Sequence, residues 1–165
     1  MMSNQSMQQR GQQWLEKLLS LSNLPAGVEV TDKTEPHDDR PSYWLTIEDT
    51  KLTPEQIQIL IGLKGSVIDA IQYLANSIIN LDQDQQQQAA YTIELDGYRA
   101  RRQAQLQTLA AHAAEQVRET GEAFELKSLS SAERRQIHTF LKECDDLETH
   151  SQGQEPDRRL VVRRR

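Results

Sequence analysis

The chain has 165 residues, a formal net charge of −6, and only 36% hydrophobic and 5% aromatic residues, which suits two small domains with modest cores better than one large one. It has no apolar run of about 18 residues, so a membrane-spanning helix is not expected. The polar start MMSNQSMQQRGQQ has no signal-peptide core, and a single cysteine, Cys144, rules out an internal disulfide and a cysteine-based zinc site.

These features lead to the expectation of a cytoplasmic protein without metal, cofactor or membrane insertion. Charge is unevenly spread. Residues 1–96 hold 6 Lys and Arg against 14 Asp and Glu. Residues 97–165 hold 13 against 11, and 11 of those 13 are arginine. The planar guanidinium matches phosphate geometry, so the second half is the expected polyanion contact.

Residues 1–7 read as disordered. Trp14, Leu15, Leu18, Leu19 and Leu21 give an amphipathic helix over 8–23, closed by Pro25 and Gly27. Residues 28–31 and 43–47 alternate as two antiparallel strands around a polar turn. Thr53-Pro54-Glu55-Gln56 is a capping box with proline at the first helical position, and its helix runs to Ile61. Gly62-Leu63-Lys64-Gly65 follows. A second helix over 66–79 then repeats apolar residues at Val67, Ile68, Ile71, Leu74, Ala75 and Ile78. Residues 82–88 form a Gln-rich loop, and 91–95 a third strand.

The glycine turn admits two readings on its own. Glycines join helices for packing. They also let backbone N–H groups at a helix start approach a phosphate, with Lys64 adding charge. The order α-β-β-α-α-β, with the turn between its last two helices, resembles a type II KH domain, whose loop clamps a single-stranded nucleic-acid backbone. The expected KH domain covers residues 8–96.

The second half, 97–163, opens with a long helix to about residue 120. Arg99, Arg101 and Arg102 lie in its first turns, where the helix dipole disfavours cations, and they are auxiliary contact candidates. A short strand at 123–126 follows. Ser130-Ser131-Ala132-Glu133 is a second capping box. Its helix carries Arg134 and His138, four apart and therefore on one face. Strands at 147–151 and 158–162 complete an expected three-stranded sheet, with a basic tail at 164–165.

The run Ser-Ala-Glu-Arg-Arg-Gln-Ile-His, then Thr149-His150-Ser151-Gln152-Gly153 and Glu155-Pro156-Asp157-Arg158-Arg159, resembles the R-3-H domain, a small α/β fold that binds single-stranded nucleic acid. A KH domain followed at once by an R-3-H domain resembles the bacterial Jag family. Leu60-Ile61-Gly62-Leu63-Lys64-Gly65, Asp69-Ala70-Ile71-Gln72-Tyr73-Leu74 and Asp96-Gly97-Tyr98-Arg99 agree with that family's pattern. Leu63 stands where the family has a basic residue, which weakens the loop's attraction for phosphate.

The resemblance implies an α+β protein that binds single-stranded RNA without catalysis, as a post-transcriptional regulator or RNA chaperone. The implied contacts are Gly62, Leu63, Lys64 and Gly65 in the KH loop. In the R-3-H part they are Arg134, Arg135, His138, Arg158 and Arg159. The alternatives are single-stranded DNA binding and a protein adaptor that uses its KH domain to dimerise, either with itself or with a small KH-only partner of the KhpA kind.

Overall fold

The computed structural model describes residues 4–165. Two compact units divide the chain, Met1–Arg99 and Ala100–Arg165. The first ends three residues later than the sequence patterns suggest, because Tyr98 and Arg99 pack back onto it.

The first unit runs α1 (Asn4–Leu21), β1 (Val28–Asp32), β2 (Ser42–Ile47), α2 (Pro54–Ile61), α3 (Ser66–Ile79) and β3 (Ala90–Leu95). Its sheet order is β1-β2-β3. β1 and β2 are antiparallel, and β2 and β3 are parallel. The parallel register sets Tyr43 beside Tyr91, Leu45 beside Ile93 and Ile47 beside Leu95, so one face presents six buried side chains. Onto them pack Leu15 and Leu19 of α1 and Ile68, Ile71, Ala75 and Ile79 of α3.

Residues 1–7 are not disordered throughout. Residues 4–7 belong to α1, whereas 1–3 lie outside the described residues. Met7 continues the fourfold spacing of Leu15 and Leu19 and is 3% exposed, and its carbonyl accepts a 2.9 Å bond from the Tyr91 hydroxyl.

The stretch Pro54–Ile79 has the length and apolar character of a membrane span. Here the glycine turn breaks it into helices of 8 and 14 residues, each shorter than the ~20 residues a span needs.

β3 is an edge strand, and α3 closes its edge with side-chain amides four residues apart. Asn76 exchanges two hydrogen bonds with the Tyr91 backbone, at 2.7 and 2.9 Å. Asn80 does the same with Ala89, at 2.8 and 3.0 Å. Gln72 accepts from the Ile93 N–H at 2.9 Å. These bonds satisfy the backbone groups that an edge otherwise offers to another chain.

The second unit contains most of α4 (Tyr98–Thr120), then β4 (Phe124–Leu126), α5 (Ser131–Leu141), β5 (Leu147–Gln152) and β6 (Arg159–Arg164). The antiparallel sheet has the order β4-β6-β5. Leu106, Ala110, Ala113, Ala114 and Val117 of α4 meet Ile137 and Leu141 of α5 and the sheet residues Leu126, Leu147, Leu160 and Val162. The expected basic tail is partly strand. Arg164 pairs with Leu147 as the end of β6, and the Arg165 N–H donates to Asp146 at 3.1 Å.

Candidate nucleic-acid interface

Two places hold the residues singled out in the sequence, one in each unit. In the first unit, Gly62 has φ +73° and Gly65 φ +77°. Lys64 between them is also left-handed, at φ 53°. Leu63 is 83% exposed and Lys64 is exposed. The turn therefore projects both side chains into solvent at the start of α3. Gly65 is buried because the Tyr98 ring lies against it.

Arg99 does not join this surface. Its guanidinium donates to the Ile93 carbonyl (3.1 Å), Asp69 (2.5 Å) and Gln72 (3.0 Å). It pins the start of α4 to α3 and β3. Its own N–H donates to the buried Glu94 carboxylate at 3.2 Å, an acceptor placed favourably at a helix N-terminus.

In the second unit, the Ser130–Glu133 capping box sets the start of α5. Ser130 accepts from the Glu133 N–H, and the Glu133 carboxylate accepts from the Ser130 N–H. Glu133 also takes a 2.7 Å bond from Arg102, so that arginine ties α4 to α5. Arg101 is exposed on α4.

From this start, Ser131, Arg134, Arg135 and His138 fall on one face of α5. They line a groove of about 440 Å³ with Thr149, His150 and Ser151 of β5 and with Glu155, Arg158 and Leu160. Arg135, His138 and Arg158 are exposed. The His138 Nδ1 meets the Thr149 hydroxyl, which fixes the ring against β5. The groove thus gathers two exposed guanidiniums, the His138 imidazole and three hydroxyls, a set suited to an anionic, hydrogen-bonding ligand.

Arg134 behaves differently. It is 4% exposed, with Nη1 donating to the Leu129 carbonyl (2.7 Å) and the Arg158 carbonyl (3.4 Å) and Nη2 donating to Glu155. Arg159 is not in the groove. Leu160 faces the helices, so its neighbour on β6 faces the other way. Arg159 there lies 3.5 Å from Glu125.

Among the predicted contacts, the structure brings Arg134, Arg135, His138 and Arg158 together. Ser131, Thr149, His150, Ser151 and Glu155 were not singled out as contacts. Their signal lay in the same motif strings. Among the described residues, no cluster of His, Cys, Asp or Glu could hold a metal ion.

Residues 104–164 match the family model of the R-3-H domain. The chain is 26% identical to the RNA-binding protein KhpB of Clostridium symbiosum, over 96% of this chain and 66% of that protein. It is 27% identical to the KhpB of Bacillus subtilis, over 84% of this chain and 75% of the relative. With the KhpB of Lactiplantibacillus plantarum it shares 36% identity, over 63% of this chain and 32% of the relative. The chain thus spans about two thirds to three quarters of the first two relatives and about a third of the third. The second unit is accordingly an R-3-H domain. Beyond that domain, the chain is similar over most of its length to relatives that carry the name KhpB.

Proposed function

We propose that this protein binds single-stranded RNA without catalysing a reaction, and that the α5–β5 groove is its principal contact. The observation that carries this reading is the convergence of Arg135, His138 and Arg158 on one hydroxyl-lined groove in an R-3-H domain. Arg135 and Arg158 supply the charge for backbone phosphates. His138 offers a ring face to a base and its Nε2 to a phosphate oxygen or base edge.

The first unit is a type II KH domain on this reading, supported by its α-β-β-α-α-β order and the parallel β2–β3 pair. Its turn at residues 62–65 receives a second stretch of backbone. Leu63 leaves Lys64 as the charged side chain of the turn, so this contact is the weaker of the two. A cytoplasmic post-transcriptional regulator or RNA chaperone is the role that fits such a module.

Fluorescence anisotropy of a labelled oligoribonucleotide across a salt series tests this. The double variant Arg135→Ala, Arg158→Ala is expected to lose affinity and to flatten the log K against log salt slope by about 0.7 per lost phosphate contact. Gly62→Asp, Lys64→Asp is expected to weaken binding less. Parental affinity and slope in the folded arginine variant would falsify the groove as the main contact.

One observation favours an additional protein partner. Val67, Leu74 and Ile78 of α3, with Leu63 before it and Leu81 after it, form an exposed apolar stripe that flanks the core-facing residues. A second KH-type chain, either another copy or a small KhpA-like protein, is the proposed occupant. Light scattering on a size-exclusion column should show a dimer, of this chain alone or with an added KhpA-like protein, that Leu74→Glu disrupts, and monomers in both samples at every concentration would refute this part.

A further inference from the structure

Arg135 and Arg158 reach the groove as exposed cations, but the burial of Arg134 gives it another role. Three partners occupy its guanidinium. Two are main-chain carbonyls, those of Leu129 before α5 and Arg158 just before β6. The third is the Glu155 carboxylate. The side chain of Arg134 is 5% exposed and that of Glu155 is 59% exposed. A buried guanidinium is tolerable when a carboxylate neutralises it and carbonyls take its remaining donors. Both conditions are met inside the protein, before any ligand arrives.

We infer that Arg134 is a positioning residue and that it works together with Glu155. Their ion pair holds the turn at residues 153–157, whose Asp157 N–H donates to Gln154 at 2.9 Å. The turn delivers Arg158, and the Arg134–Arg158 carbonyl bond fixes where its backbone enters the groove. Arg158 thereby faces the strand beside Arg135 and His138. This rests on the reading of the groove as the RNA contact.

The inference makes a prediction opposite in sign to simple electrostatics. Removing an acidic residue beside a polyanion site should tighten binding if charge alone matters, or if Glu155 merely competes with phosphate for Arg134. If Glu155 positions Arg158, removing it weakens binding.

The test uses the full chain and a labelled 12-nucleotide oligouridylate, titrated by anisotropy over a salt series, with thermal melts as a check on folding. Glu155→Ala is expected to bind ~3–10-fold more weakly, a loss of about 1 kcal/mol. Its salt slope should fall by about 0.7, the signature of one lost phosphate contact. Glu155→Gln, which still accepts from Nη2, should recover most of the affinity. In an Arg158→Ala background, Glu155→Ala should add little, because both changes remove one contact.

Arg134→Lys provides an independent arm, since it keeps the charge and loses the fork. It should weaken binding as Glu155→Ala does. Parental or tighter binding by either folded variant overturns the assignment and leaves the groove reading standing. A parent chain that does not bind the strand overturns the groove reading, and the assignment with it.

Discussion

Tyr98 stands so close over Gly65 that a Cβ on the glycine would lie 2.0 Å from the tyrosine hydroxyl oxygen. The turn before α3 and the first turn of α4 are therefore shaped against each other. Gly65→Ala should cost about 2–4 kcal/mol, combining a left-handed non-glycine residue with overpacking. Urea denaturation of the single and double variants checks this. In a Tyr98→Ala background the same substitution should cost only the backbone strain, about 1–2 kcal/mol.

The α3 amides that close the edge of β3 give a second expectation. Asn76→Ala leaves the N–H and carbonyl of Tyr91 without their side-chain partner. The cost should be about 2 kcal/mol. Hydrogen exchange should locate it, with the Tyr91 amide losing protection before those of β1.

The contrast between these sites shows what the sequence made legible. Element order and most boundaries could be read, because apolar spacing and capping boxes are local signals. α3 begins at Ser66 and ends at Ile79 in both the sequence reading and the structure. The roles of polar residues were less accessible. Gln72, Asn76 and Asn80 stand four apart, a spacing that reads as an ordinary solvated face until a strand edge is placed beside it. Arg99 and Arg102 read as surplus cations at an unfavourable helix end, whereas the fold supplies Asp69 and Glu133 from about 30 residues away. Arg158 and Arg159 are indistinguishable as a string, yet only Arg158, just before β6, lines the groove, while Arg159 in the strand turns to Glu125.

Glu133 separates capping from ion pairing. Glu133→Ala removes both the partner of the Ser130 N–H and that of Arg102, and should cost about 1–2 kcal/mol in thermal unfolding. Glu133→Gln keeps a capping acceptor and loses the charge pair, so it should cost less than about 1 kcal/mol.

The stability of the first unit should fall in alkali. Burial pushes the Tyr91 phenol above its ordinary 10.0, partly opposed by Arg10. Burial and Asp32 push the Tyr43 phenol upward as well. The folded protein therefore holds these protons more tightly than the unfolded chain does. That contribution is complete below pH 10.0 and is lost as pH rises through the folded values. Melting temperature should drop above pH 10, and less steeply in Tyr91→Phe. At neutral pH that variant should be weaker by about 1–3 kcal/mol, since the buried Met7 carbonyl loses its donor.

The most direct test of RNA contact is an amide chemical-shift titration of the isotope-labelled chain with a short single-stranded oligoribonucleotide. The perturbed amides should cluster at Arg135, His138, Thr149, Ser151 and Arg158, with a smaller set at residues 62–67. Perturbations confined to the outer sheet face, at Glu125, Gln152, Arg159 and Arg163, with the groove amides unmoved, would contradict binding through the α5–β5 groove.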